Sequence, residues 1–161
     1  MSVSCRSGRT DVTPASWAET LDLHLAVPFF LARALVPGMA ARGVCGKIVN
    51  VASLQSYRAM PDLVPYGAAK GGVLQLTRAM AEAWGPQNVC ANAIGPGFFE
   101  TELTAPVFAD AERATGLAAR TTLGRNGRTR DLVGATVFLC SAASDYITGQ
   151  TLMVDGGFTA K

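Results

Sequence analysis

Long runs of one charge, paired cysteines and an uninterrupted apolar stretch are all missing from this sequence, and each absence removes a class of protein. Fourteen basic residues face 12 acidic ones, a formal charge of only +2. That is too little for an electrostatic grip on nucleic acid, and no nucleic-acid partner is expected. Cys5, Cys45, Cys90 and Cys140 lie far apart and form no C-x-x-C pair, which argues against structural zinc or any other metal. They read as four free, mostly buried thiols in a reducing cytoplasm. Residues 21–39 are the longest apolar stretch, broken by His24, Pro28, Arg33 and Pro37. A membrane span needs about 20 mostly apolar residues, so this stretch reads as a buried helix of a soluble protein without a membrane partner. The leading MSVSCRSGRTDV has no apolar core, so it is not a secretory signal, and the expected location is cytoplasmic.

What is present points to one folded domain. The chain has 161 residues, 49% of them hydrophobic, too apolar for disorder and without a collagen period. Residues 1–12 are polar and turn-rich and read as a disordered lead-in, leaving 13–161 as the domain. Thr13-Pro14 is a helix start, a capping hydroxyl followed by proline in the first turn. That helix should run to about Arg42 and stop near Gly43. Residues 47–52 (KIVNVA) form a short apolar run with β-branched members, as a strand covered on both faces does. A second long helix is expected over 66–84, a second buried strand over 89–94, and one or two short helices over 101–120. A further helix over 130–141 and a third strand over 151–154 complete the pattern. Long helices alternating with short buried strands predict right-handed βαβ units and a parallel sheet. Ligands of such sheets bind beyond the carboxyl ends of the strands, so the residues after Ala52 and after Ile94 matter most.

Ser53 directly follows the first predicted strand, and Tyr66 and Lys70 come later in YGAAK. Positions i and i+4 share a helix face, so phenol and ammonium lie one turn apart. A cation there favours tyrosinate and draws the phenol's pKa down from about 10, toward proton exchange near neutrality. The lysine has donors to spare for sugar hydroxyls. A serine hydroxyl aimed at the same point would hydrogen-bond a carbonyl or alkoxide oxygen as its charge changes.

With KIVNVAS at 47–53, YGAAK at 66–70, NAIGPGFFET at 92–101 and TGQTLMVDGG at 148–157, the chain resembles the short-chain dehydrogenase/reductase family from about residue 14 to 158. The resemblance implies a Rossmann-like, doubly wound α/β fold and an NAD- or NADP-dependent oxidoreductase. Hydride would pass between nicotinamide and a secondary alcohol or ketone. Tyr66 would be the general acid/base, Ser53 would orient the substrate oxygen, and Lys70 would assist Tyr66 while binding the nicotinamide ribose. Pro96, Gly97, the backbone at Phe99, and Thr101 would line the nicotinamide pocket. Within the family the pattern looks most like gluconate 5-dehydrogenases and related sugar-acid or polyol dehydrogenases. Arg58, between Ser53 and Tyr66, is then either a bidentate partner for a substrate carboxylate or a solvated loop residue. Arg125, Arg128 and Arg130 read as a solvated surface. The family also implies a homo-oligomer, dimer or tetramer, built through the long helices and the last strand.

Two departures stand out. His24 occupies the position of an asparagine whose main-chain carbonyl, in the family, holds a water leading to the catalytic lysine. Pro28, four residues on, has no N–H, so the His24 carbonyl loses its usual helical partner and is open to such a water. The other reading is a core histidine with no catalytic part. The second departure is the absence of any G-x-G-x-x-G turn for the cofactor pyrophosphate. The sequence thus looks like the C-terminal two-thirds of the family's domain, with about three strands. An alternative follows, an inactive fragment lacking the cofactor turn. Such a sheet leaves one apolar edge unpaired, so the 161-residue chain should be marginally stable unless it associates. Sedimentation with thermal melting tests this, and a monodisperse monomer melting cooperatively above about 60 °C would contradict it.

Overall fold

The computed structural model describes residues 11–102 and 104–161, so the expected lead-in over 1–12, apart from Asp11 and Val12, and Cys5 lie outside the described residues. Thr13 caps α1 (Pro14–Leu21) by accepting from the Ser16 N–H, while the Ser16 hydroxyl returns a bond to the Thr13 backbone. The helix continues through a π-turn over Asp22–Ala26 into α2 (Val27–Ala40), and Gly43 ends the turn beyond at φ +70°. In the π-turn the Val27 N–H donates to the Asp22 carbonyl, five residues back. The wider turn ends just before Pro28, which has no N–H to continue the ordinary ladder.

Among the described residues three parallel strands, β1 (Gly46–Val51), β2 (Val89–Pro96) and β3 (Thr151–Val154), form one sheet in the order β1-β2-β3. The 21-residue α3 (Val64–Trp84) crosses from β1 to β2. Two short helices, α4 (Ala105–Phe108) and α5 (Ala111–Ala119), and then α6 (Val133–Cys140) occupy the crossover from β2 to β3. Strand alternation assigns the faces. Ile48, Asn50 and Ala52 in β1 and its extension, with Val89, Ala91 and Ala93 in β2, meet α2 and α3. Met80, Trp84, Ala32 and Val36 close that layer, with Trp84 stacked on Phe29 at 6.2 Å. Lys47, Cys90 and Asn92 point the other way, toward the segment after α6, where Asp145 and Ile147 receive them.

The long helix is less buried than its sequence suggests. Ala32 and Val36 pack in the core, but Val27, Phe30, Leu31 and Leu35 are exposed, which corrects the expectation of a buried helix. At 27 residues, Pro14–Ala40 is also long and apolar enough to cross a membrane. One side of α2 packs against Trp84 and Met80, and the other is uncovered. The physical reason is the sheet edge. The Ala52 N–H bonds the Ile94 carbonyl, so alternation turns the backbone groups of Lys47, Val49 and Val51 away from β2. Beside that edge runs a groove of about 410 Å³ between β1 and the exposed side of α2. The three described cysteines are free thiols, with Cys90 buried, Cys45 partly exposed and Cys140 exposed. Cys140 therefore corrects the expectation of mostly buried thiols, because it ends α6 on the solvent side.

Candidate active site

Because all three strands are parallel, Ser53 after β1, Gly97 after β2 and Asp155 after β3 emerge at the same edge of the sheet. Ser53 leaves β1 in extended conformation (φ −160°, ψ 161°) and caps the short 3₁₀ turn Leu54–Ser56 by accepting from the Gln55 N–H at 3.2 Å. Its own N–H donates to Ser56 Oγ at 3.2 Å, and the Ser56 hydroxyl donates to the Lys70 carbonyl at 2.6 Å. One hydroxyl thus fastens the serine turn to the helix that carries Tyr66 and Lys70.

Lys70 is buried, and its ammonium donates to the Val51 carbonyl at 2.6 Å, two residues before Ser53. The same Nζ lies 5.6 Å from the centre of the half-buried Tyr66 ring. A buried lysine is tolerated only with partners for its charge, and here a carbonyl and an aromatic ring both face it. Sequence spacing placed phenol and ammonium on one face of α3, and that face turns toward the carboxyl edge.

The wall after β2 is built by close backbone approach. Gly97 donates to the Val154 carbonyl at 3.0 Å, and a Cβ on it would stand 2.7 Å from the Asp155 Cα. No larger residue fits there without separating β2 from β3. Pro96 and Gly97 are partly exposed, Phe99 is buried, and Thr101 is exposed. Thr104, which spacing alone did not single out, organises this stretch. Its hydroxyl donates to the Phe99 carbonyl at 2.5 Å and accepts from the Thr101 N–H at 2.9 Å. A separate cavity of about 200 Å³ lies farther along, between Phe98, Arg125 and Asp155, and does not reach Tyr66. Arg125 is bound there to Asp131 at 2.7 and 3.3 Å, while Arg128 and Arg130 remain exposed.

His24 meets this site directly. Its ring stands edge-on to the Tyr66 ring with centroids 5.1 Å apart, and its buried Nε2 has no hydrogen-bond partner. Burial first, and then the Lys70 charge, hold its imidazole below the ordinary histidine range. The sign for stability follows. The unfolded chain takes up a proton near 6.5, the folded chain only at lower pH, so the unfolded state binds more protons as pH falls. Urea midpoints are therefore expected to drop from pH 7 to pH 5 by more in the parent than in His24→Asn. Equal slopes would show that His24 is not the group responsible. Arg58, by contrast, is exposed on the loop after the 3₁₀ turn.

Comparison with known proteins decides the lineage. A family model described as enoyl-(acyl carrier protein) reductase matches residues 3–159. Gluconate 5-dehydrogenase of Gluconobacter oxydans is 45% identical over 143 residues, 89% of this chain and 56% of that protein. The chain belongs to the short-chain dehydrogenase/reductase family. Also similar is 2-dehydro-3-deoxy-D-gluconate 5-dehydrogenase of Escherichia coli, 37% identical over 97% of this chain and 62% of that one. Among solved structures, a gluconate 5-dehydrogenase of Burkholderia cenocepacia in complex with NADP and tartrate superposes with TM-score 0.91 at 42% identity. That match covers 97% of this chain and 61% of the other. The chain therefore spans about 56–62% of the length of these relatives.

Sequence reading missed the roles of Ser56, Thr104 and Asn92; Thr104 acts within its own turn, while Ser56 and Asn92 depend on distant pairing. The Asn92 amide donates to the Ile147 carbonyl at 2.7 Å and accepts from the Gln150 N–H at 3.0 Å, joining β2 to the approach of β3. A buried amide inside an apolar strand was the available signal, since such groups are retained only with partners.

Proposed function

We propose that this chain supplies the proton-transfer residues of an NAD- or NADP-dependent oxidoreductase that interconverts a secondary alcohol and a ketone. The proposed substrate is a sugar acid of the gluconate class. One observation carries the reading, the buried Lys70 ammonium set between the Tyr66 ring and the Val51 carbonyl at the strand end that delivers Ser53. The gluconate dehydrogenase names of the relatives support the substrate class.

The residues present fit the nicotinamide end of such a cofactor. Lys70 is the proposed partner of the ribose hydroxyls, and Pro96, Gly97, Phe99 and Thr101 form a backbone-rich wall at the same sheet edge. When bound, the nicotinamide supplies or accepts the hydride at the carbinol carbon. The Tyr66 hydroxyl gives or takes the proton at the substrate oxygen, and the Ser53 hydroxyl donates a hydrogen bond to that oxygen. Lys70 keeps the tyrosinate form accessible through its charge. His24, edge-on to Tyr66, steadies that ring, and exposed Arg58, on the loop between Ser53 and Tyr66, is the proposed partner for a substrate carboxylate. The reading includes a cytoplasmic homo-oligomer, supported by the free thiols and by exposed Phe30, Leu31 and Leu35 on α2.

Calorimetric titration of the purified 161-residue chain with NADH and NADPH tests the proposal. Micromolar binding would support the proposal and open a turnover assay with a 5-keto sugar acid. A second reading, that these residues alone bind no dinucleotide, is favoured by the missing G-x-G-x-x-G turn. A folded sample without binding would establish that reading and move the activity to a longer chain.

A further inference from the structure

We infer that Cys45 and Cys90 are a site of reversible oxidation, closing to a disulfide between the starting ends of β1 and β2 when a hydroperoxide is the oxidant. Their sulfurs lie 3.4 Å apart, although the residues are 45 positions apart in sequence. The register explains the meeting. Lys47 pairs with Cys90 and Gly46 with Val89, so Cys45, one residue before β1, falls on the same sheet face as Cys90, diagonal to it. Cys45 lies outside the strand, two residues after Gly43, and is partly exposed. Gly46, next to it, is locked. Its N–H donates to the Asn88 carbonyl at 2.9 Å and it pairs with Val89, which holds the strand start beside Cys90.

The surroundings distinguish the two thiols. Cys90 is buried, and burial, with the neighbouring Cys45 thiol, pushes it above the ordinary thiol range. Cys45 is partly exposed and is the sulfur a peroxide reaches. Lys47, on the same face, is held cationic by Asp145 at 2.8 Å and offers positive charge to both sulfurs. The Cys45 thiolate attacks the terminal peroxide oxygen, the O–O bond breaks, and the departing oxygen takes a proton from solvent and leaves as water, or as the alcohol of an organic hydroperoxide. Cys45 is then a sulfenic acid. The Cys90 sulfur attacks the Cys45 sulfur, the S–O bond breaks, and water departs with the Cys90 proton. Two thiols are oxidised by two electrons in all, and one hydroperoxide is reduced. The closed segment carries Ser53, Tyr66 and Lys70, so oxidation ties down the part of the chain that holds the candidate catalytic groups. A cross-link of this kind restricts the unfolded chain and favours the folded one.

The test uses the full chain, folded and in urea, treated with hydrogen peroxide, alkylated and mapped without reduction. Expected from the folded chain is a Cys45–Cys90 linked peptide, reversed by dithiothreitol, with Cys140 still alkylated and the urea midpoint raised. In urea the same treatment should show no preference for that pair. Cys90→Ser should leave Cys45 as a sulfenic acid trapped by dimedone. Alkylation of both Cys45 and Cys90 after Cys140 has been oxidised would overturn the inference. So would preferential pairing of either with Cys5 or Cys140. The mapping of the parent chain decides the matter even if the variant fails to fold.

Discussion

Replacing Tyr66 by phenylalanine is expected to lower kcat by about 10²–10⁴-fold, the range that a positioned acid/base group contributes. The change deletes one hydroxyl and leaves the ring, so the edge contact with His24 at 5.1 Å and the approach of Lys70 at 5.6 Å both persist. Circular dichroism and dinucleotide titration of the variant separate a loss of chemistry from a loss of folding or cofactor affinity. In free-energy terms the loss is about 3–5 kcal/mol of transition-state stabilisation. Any form of the protein that binds NADPH serves for the assay, with reduction of a 5-keto sugar acid followed by NADPH absorbance. A fall in kcat with unchanged KM would place Tyr66 in the chemical step. A variant that kept kcat within a few-fold would remove Tyr66 from that role and leave His24, its edge-on neighbour, as the next group to replace.

Trp84→Ala is expected to remove about 3–5 kcal/mol of folding stability, the usual cost of emptying a large aromatic site in a core. Trp84 ends α3 and is 9% exposed. It stacks on Phe29 of α2 and belongs to the cluster of Ala32, Val36, Met80 and Val89. Ala32, Ala81 and Ala91 beside it are too small to fill the gap, so only rearrangement of larger neighbours such as Met80 and Phe29 could reduce the loss. A typical domain has only about 5–15 kcal/mol to lose, and this one has an uncovered sheet edge and helix face. Urea unfolding followed by circular dichroism should show the midpoint collapse, with part of the population unfolded in buffer. A loss under 1 kcal/mol would mean that α2 is not anchored to the sheet through this residue, and its packing would need revision.

The local features of the molecule were readable because they are written in short-range periods. The cap at Thr13, the stop at Gly43, the apolar runs of β1 and β2, and β3 at Thr151–Val154 each depend on neighbours within a few residues. So does the pairing of Tyr66 and Lys70, which the helical repeat alone puts on one face. Their order along the chain was enough to expect a parallel sheet, and the strand ends then pointed to Ser53 and Gly97. None of this required knowing which side of any element faced which other.

Tertiary structure alone decided the contacts between residues distant in sequence. Ser56 reaches the Lys70 carbonyl, Asn92 reaches Ile147 and Gln150, and Cys45 meets Cys90, because strand register and helix rotation bring them together. No periodic signal marks such pairs, since each depends on angles set by the whole core. The uncovered side of α2 was illegible for a related reason. An apolar helix face looks the same in sequence whether or not a neighbour covers it, and burial is a property of the partner as much as of the residue.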